Sequence, residues 1–327
     1  MSTSRDFDFV ILGAGAIGSI LGAHLARAGH SVAMLVRERR AAQLRAEGLK
    51  IRGLSEFDIE VPVLTDASQL EHAGVLIVAM KTMGTAAALQ PLHHVRIDTA
   101  FSIQNGVFKN DQLIAAFGRD RVLGSLADTS GELMPSGEVL FTRNINLLVG
   151  ELSGELTQRA ESIAATIDRS GVRSTAVPDI LGREWSKFVA WTGFMTLAVA
   201  TRSTTWKYLA DPDTAVLLAR TVREMGGLAS AKGIALNDQA LLPVASMCRG
   251  TEAEAIETIR RAGEAFKTKV PDHRMSALQD INAGRPLEID DTVGEALRVA
   301  ARHGLAMPVQ ESLYHLVRGL ERLGRDR

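Results

Sequence analysis

The tightest constraint in this sequence is a single turn, Gly13-Ala14-Gly15-Ala16-Ile17-Gly18. It fits the pattern G-x-G-x-x-G, in which one glycine tightens the turn, one lets the backbone approach a pyrophosphate, and one lets helix pack closely on strand. Three glycines also occur in purely structural turns, so the flanks decide. Phe9-Val10-Ile11-Leu12, before the turn, is apolar on both sides, as a buried parallel strand requires. Ala16 to Ala28 carries Ile17, Ile20, Leu21 and Leu25 at helical spacing, and Gly29 falls where a helix C′ residue belongs. Ser31 to Val36 is a second apolar run. Together they predict a βαβ unit closing within about 30 residues, with a dinucleotide's phosphates on the N-terminus of its helix.

The alternation continues with Val75 to Met80 and Thr99 to Ile103 as further buried strands. Val122 to Leu126, Glu138 to Phe141 and Asn146 to Val149 also read as strands, with turns at Ser130-Gly131 and Ser136-Gly137. They are expected to finish the same sheet at one edge, as antiparallel strands. After Pro178 strand signals almost vanish. Asp211-Pro212 supplies the N-cap and N1 of a helix through Leu218, Val222 and Met225. Gly304 and Pro308 separate a helix with Val293 and Leu297 from one with Leu313, Leu316 and Leu320. At about 150 residues per domain, the 327 residues suggest two domains. The expected fold is α/β: an N-terminal Rossmann-type doubly wound sheet over residues 1–178, then an all-helical C-terminal domain over residues 179–327.

Composition narrows the partners. Lys plus Arg number 37 and Asp plus Glu 38, a formal charge of −1, which gives no basic field for nucleic acid. The longest uncharged run, between Lys187 and Arg202, is too short to span a bilayer. Met1 to Asp8 lacks the apolar core of a signal peptide. The single cysteine, Cys248, excludes an internal disulfide, and neither His93-His94 nor the other six histidines show ligand spacing. The expectation is a reduced, cytoplasmic chain without metal, membrane anchor or nucleic-acid partner. Its apolar second-half helices suit a homodimer or a monomer equally.

The end of the second strand bears on which dinucleotide is bound. An acidic residue there would accept from the ribose 2′-OH of NAD, but this chain has Arg37, followed by Glu38, Arg39 and Arg40. A guanidinium cannot accept that bond and can grip a 2′-phosphate with two donors. Glu38 keeps the NAD alternative open, and NADP(H) is the favoured cofactor. Lys81 follows the third strand, and Gln104-Asn105-Gly106 follows the next, both on the rim where open α/β sheets take ligands. Asn105, with one acceptor and two donors, suits the nicotinamide ribose and a nearby ammonium.

Hydride transfer to a ketone leaves negative charge on oxygen, which a metal, His, Tyr, Lys or protonated carboxyl must neutralise. The two tyrosines, Tyr208 and Tyr314, are not in a Tyr-x-x-x-Lys arrangement. Lys187, in Trp185-Ser186-Lys187-Phe188-Val189, heads the most apolar helix, where desolvation would lower its pKa toward that of a useful general acid. Residue physics alone prefers to read it as a lysine snorkelling at the end of a core helix. Glu288, Asp290 and Asp291 likewise read as acidic residues complementing a helix dipole.

Over nearly its whole length the chain resembles the ketopantoate reductase (2-dehydropantoate 2-reductase) family. The matching pieces are Gly13 to Gly18, Arg37, Lys81, Gln104-Asn105-Gly106, Trp185-x-Lys187, Ser276-x-Leu278-Gln279-Asp280 and Gly284-Arg285-x-x-Glu288-Ile289-Asp290. The resemblance implies a Rossmann domain and a helical domain, with substrate and NADPH in the cleft between them. It makes Lys187 the general acid, with Asn105 positioning it against the cofactor. Ser276 would bind the substrate carboxylate and Glu288 its hydroxyl. Arg37 would hold the 2′-phosphate, and Lys81 would lie beside the cofactor. The implied reaction is NADPH-dependent reduction of 2-dehydropantoate (ketopantoate), as in pantothenate biosynthesis.

The sequence departs from that pattern at Trp191 and Met195, where the family usually carries substrate-holding asparagines. Lys187, Trp191 and Met195 are spaced i, i+4, i+8 and share a helix face. An indole and a thioether there favour a less polar 2-oxo acid as substrate, unless the helix is rotated or other polar groups compensate. A dehydrogenase of 3-hydroxy acids or of N-alkylated amino acids would share the two-domain plan. A non-catalytic NADP(H)-binding sensor would keep the glycine loop and Arg37 without needing Lys187 or Glu288.

Overall fold

In the computed structural model, which describes residues 5–325, the run around Phe9 forms strand β1 (Asp6–Leu12). Residues 1–4, where the stretch read for a signal peptide begins, and residues 326–327 lie outside the described residues. From Phe9 to Leu12 the side chains of β1 part alternately to two cores, Phe9 and Ile11 to one and Val10 and Leu12 to the other, because successive strand residues point to opposite faces. After β1 come helix α1 (Ala16–Arg27), β2 (Val32–Leu35), α2 (Glu38–Glu47), β3 (Leu49–Gly53), β4 (Phe57–Ile59) and β5 (Val63–Leu64). Then follow β6 (His72–Val78), α3 (Thr85–Leu89), β7 (Arg96–Ser102) and α4 (Lys109–Phe117).

Five strands form one sheet in the order β5-β2-β1-β6-β7, every pairing parallel. The chain starts at β1, winds outward to β5, then returns to β6 on the other side. The C-terminal ends of β1 and β6 therefore flank the switch point where such sheets take their ligands. This is the expected Rossmann-type sheet.

The next strands correct the sequence reading. β8 (Leu123–Leu133) and β9 (Val139–Glu151) form a long antiparallel hairpin, which joins β3, β4 and β10 (Ser174–Ala176) in a second five-stranded sheet instead of extending the first at its edge. Glu138 to Phe141 and Asn146 to Val149 fall on a single strand apart from Glu138 itself. Ser130-Gly131 is a register shift inside β8, not a turn, while Gly137 (φ +91°) does turn the hairpin. Helix α5 (Gln158–Arg169) connects β9 to β10. One core gathers a face of the first sheet, α1, α5 and the second sheet, with Ile20, Leu49 and Phe141 fully buried in it.

From α6 (Ile180–Thr201) onward the described residues are helical: α7 (Thr205–Ala210), α8 (Pro212–Ala231), α9 (Val244–Arg249), α10 (Glu252–Lys269), α11 (Ser276–Asn282), α12 (Glu295–Arg302) and α13 (Pro308–Arg325). The Asp211 carboxylate caps α8 by accepting from the Asp213 and Thr214 amides. Leu218, Val222 and Met225 are buried as expected, whereas Leu316 on α13 is 49% exposed. Contacts divide the chain into two units, residues up to Asn105 with Lys109–Leu181, and Gly106–Phe108 with the residues from Gly182 on. The division thus falls three residues past 178, and one loop of the first half belongs to the second unit. No helix among the described residues is long and apolar enough to cross a membrane.

Candidate active site

In the first unit, the glycine loop is shaped to receive phosphate. Gly13 has φ +106°, and a side chain there would stand 2.8 Å from the Met80 amide. At Gly18 a Cβ would collide with the Gly13 carbonyl and press on Ala79. At Gly15, by contrast, the nearest atom would be the Ala79 carbonyl at 3.9 Å, so the loop is open there. Gly15 is the N-cap of α1, no side chain caps the helix, and its first turn holds no acidic residue. The first amides of α1 and its positive dipole end are left for an anion. Ala14 is buried, and Ala16 and Ile17 are half-buried. A dinucleotide diphosphate fits this cradle.

Arg37 is the N-cap of α2, just past the end of β2. Its side chain is exposed, and among the described residues no carboxylate pairs with it. The Glu38 carboxylate accepts from Arg45 Nη1 at 3.0 Å. Arg40, one turn further, is half-buried and donates from Nε to the Ala14 carbonyl at 3.2 Å.

At the ends of β6 and β7 a buried polar knot joins the loops that carry Lys81 and Asn105. Gln104 Nε2 donates to the Lys81 carbonyl at 3.0 Å and to Thr85 Oγ1 at 2.7 Å, and its Oε1 accepts from Ser102 Oγ at 2.8 Å. Lys109, buried at the start of α4, donates from Nζ to the carbonyls of Gln104 (3.1 Å) and Ser125 (2.6 Å). Lys81 is exposed and Asn105 half-buried on this rim. The structure therefore brings these two predicted residues together through Gln104.

In the second unit, Lys187 lies on α6, seven residues from its start, and is half-buried. Close to it in sequence on α6, Trp185 and Phe188 meet each other and Phe108 edge to face, with ring centroids 6.0 or 6.1 Å apart. Within the second unit, Gly106 stands by the neighbours of two predicted residues. A Cβ there would stand 3.3 Å from Thr292 Cγ2 and 3.9 Å from the Phe188 ring. Phe188 follows Lys187, and Thr292 Oγ1 donates to the Glu288 carbonyl at 2.6 Å.

Glu288, half-buried, precedes a π-helical turn over Asp290–Gly294, closed by the Gly294 amide on the Ile289 carbonyl at 2.8 Å. Such turns recur at functional sites. Tyr314 braces this one, its hydroxyl donating to Asp290 at 2.7 Å. Burial first, then the Asp290 bond, raises the phenol pKa. Ser276 is exposed at the first position of α11. The turn from α11 toward Glu288 is closed by Arg285, which donates to the Asp280 carboxylate at 2.7 Å.

Trp191 and Met195 lie in the apolar core of this unit, 9% and 2% exposed, with Trp191 stacked on Phe188 at 6.1 Å and 20°. No amide stands at either position. Sequence reasoning did not reach Arg40, Lys109 or the Tyr314 brace. For the first, Arg40 directly after Arg37-Glu38-Arg39 was the available signal.

The comparisons with known proteins agree in direction. Family models described as ketopantoate reductase PanE/ApbA and its C terminal match residues 9–154 and 179–321. The 2-dehydropantoate 2-reductase of Archaeoglobus fulgidus is 28% identical over 311 residues, covering 95% of this chain and 97% of its own. That of Mycobacterium tuberculosis is 30% identical over 315 residues, covering 94% and 95%. Among solved structures, a PanE/ApbA family ketopantoate reductase from Ralstonia eutropha shares the fold with a TM-score of 0.81 at 23% identity, covering 97% of this chain and 99% of the other. D-mandelate dehydrogenase with NADH and anilino(oxo)acetate gives 0.81 at 19% identity over the same shares.

Proposed function

The chain belongs to the ketopantoate reductase family, and from that premise we propose that it reduces a 2-oxo acid to the 2-hydroxy acid with NADPH, ketopantoate being the nominal substrate. The observation that carries the reading is that the two family matches take in both the open glycine cradle and the helical half bearing Lys187 and Glu288. NADPH is favoured over NADH because, among the described residues, no carboxylate pairs with Arg37 at the end of β2, while the Glu38 carboxylate is engaged by Arg45.

Gly13 to Gly18 hold the diphosphate on the amides of α1, Arg37 takes the 2′-phosphate, and Lys81 and Asn105 line the nicotinamide end. When bound, the nicotinamide supplies the hydride that reduces the ketone carbon. Lys187 donates a proton to the oxygen as it gains charge, and Asn105 orients that ammonium. Ser276 holds the substrate carboxylate and Glu288 its hydroxyl. The net change is ketone plus hydride plus proton to alcohol.

A second reading, a bulkier or less polar 2-oxo acid, is supported by the indole and thioether at positions 191 and 195, since each missing amide removes a donor worth about 1 kcal/mol. NADPH oxidation with a panel of 2-oxo acids tests both. Turnover with at least one of them, falling about a hundredfold or more in Lys187→Ala, is expected. The best substrate decides between ketopantoate and a less polar acid. Cofactor binding without turnover of any 2-oxo acid would leave a sensor in place of an enzyme.

A further inference from the structure

The cofactor reading gives Arg40 no task, yet its environment is unusual for a guanidinium. Arg40 is half-buried, and all its hydrogen bonds go to neutral acceptors: Nε to the Ala14 carbonyl (3.2 Å), Nη1 to Gln43 Oε1 (2.6 Å) and the Gly137 carbonyl (3.4 Å), and Nη2 to Ser19 Oγ (3.4 Å). Among the described residues no carboxylate lies within ion-pair distance of it. Burial holds its pKa below the usual guanidinium range, with the more distant Glu47 opposing, though a guanidinium still stays protonated.

Arg159 of the same unit shows the contrast. Its guanidinium meets the Glu151 carboxylate with two donors, Nε at 3.0 Å and Nη2 at 2.6 Å, so its charge is neutralised. Removing a charge from water costs free energy unless an opposite charge is near. Arg40 bears that cost beside an uncapped helix end that is already positive.

The Ala14 contact adds geometry. None of the described peptide bonds is cis, so the carbonyl of Ala14 and the amide N–H of Gly15 point in opposite directions. Holding the carbonyl toward Arg40 turns the Gly15 N–H away from it. Through Gln43 the same guanidinium reaches the hairpin tip, where Gln43 Nε2 donates to the Ser136 carbonyl at 3.2 Å. Arg40 thereby ties the glycine loop to α2 and the β8–β9 turn.

We propose that Arg40 is a positioning residue for the cofactor diphosphate: it fixes the Ala14–Gly15 peptide and leaves its own positive charge for the phosphates to neutralise. This rests on the glycine loop binding a nicotinamide dinucleotide. Because the diphosphate is common to NADPH and NADH, Arg40 serves both, unlike Arg37.

The test titrates the full chain with NADPH and with NADH, following nucleotide fluorescence at low and high salt. Arg40→Met and Arg40→Gln are each expected to weaken both nucleotides by the same factor, about tenfold, and to flatten the salt dependence. Arg40→Lys, keeping the charge without the fork, should recover part of the loss. Should Arg40→Met fail to fold, Arg40→Gln is read alone by the same criteria. Wild-type affinity in Arg40→Gln would overturn the proposal. So would a loss confined to NADPH, which would put Arg40 on the 2′-phosphate, or a lowered melting temperature with both affinities and their salt dependence unchanged. If the wild-type chain binds neither nucleotide, the cofactor reading itself falls and this proposal with it.

Discussion

Arg37 and Arg40 sit three residues apart at one end of α2 and show how far single residues can be read. Arg37 was legible because its position relative to the glycine loop and second strand has a fixed meaning. Its side chain is exposed, so in Arg37→Ala little folding energy is lost and the effect should fall on the 2′-phosphate. NADPH binding is expected to weaken about tenfold or more while NADH binding changes little, measured as the ratio of the two dissociation constants. Equal losses for both nucleotides would remove the 2′-phosphate role. Arg40 was not legible because two of its four partners are backbone carbonyls 26 and 97 residues away. Lys109 was hidden for the same reason. A lysine defaults to solvent, and only the fold reveals that Gln104 and Ser125 turn their carbonyls onto it.

At the scale of elements, strands buried on both faces were readable from continuous apolar runs, and the glycine loop fixed their connection. The second sheet was not readable, because β8 and β9 are long, half-polar strands, and the pairing of β9 with β3 joins segments distant in sequence. Gly131 also mimicked a turn signal inside β8. That second sheet shapes the surroundings of α1. His24 near the end of α1 is 3% exposed, with its ring edge-on to Phe57 and Phe141 at 5.1 and 5.6 Å. Its Nδ1–H donates to the Ser170 carbonyl after α5 at 2.9 Å, and among the described residues Nε2 has no hydrogen-bond partner. Burial holds the imidazole pKa below its usual 6.5, opposed by the Ser170 bond and aided by Arg27. The unfolded chain therefore takes a proton on this ring before the folded chain does. The stability His24 confers is complete above pH 6.5 and declines as pH falls, by at most about 1.4 kcal/mol per pH unit. Melting temperatures between pH 7.5 and 5 should drop more steeply in the wild type than in His24→Gln. Parallel curves would show that another group sets the acid limb.

At the scale of the whole chain, the two units have separate apolar cores, but the polypeptide passes between them more than once. Val107 and Phe108, inserted between β7 and α4 of the first unit, are buried in the core of the second. Helix α6 begins with residues of the first unit, Leu181 packing against its core, and continues as the central helix of the other. Melting the first unit would release both α6 at its root and the Val107–Phe108 anchor, so the two cores are expected to unfold together. The three tryptophans, Trp185, Trp191 and Trp206, all lie in the second unit, and their fluorescence reports that unit alone. By the proposed function, NADPH is held chiefly by the first. Present at a hundred times its dissociation constant, a ligand of the native state adds about 2.7 kcal/mol, or roughly 4 °C in melting temperature for a chain of this size. We expect NADPH to shift the tryptophan-monitored midpoint by the same amount as the midpoint seen by far-UV circular dichroism. A circular-dichroism shift with the tryptophan midpoint left in place would mean that the units melt independently, and that the loop at Val107 and the root of α6 transmit nothing between them.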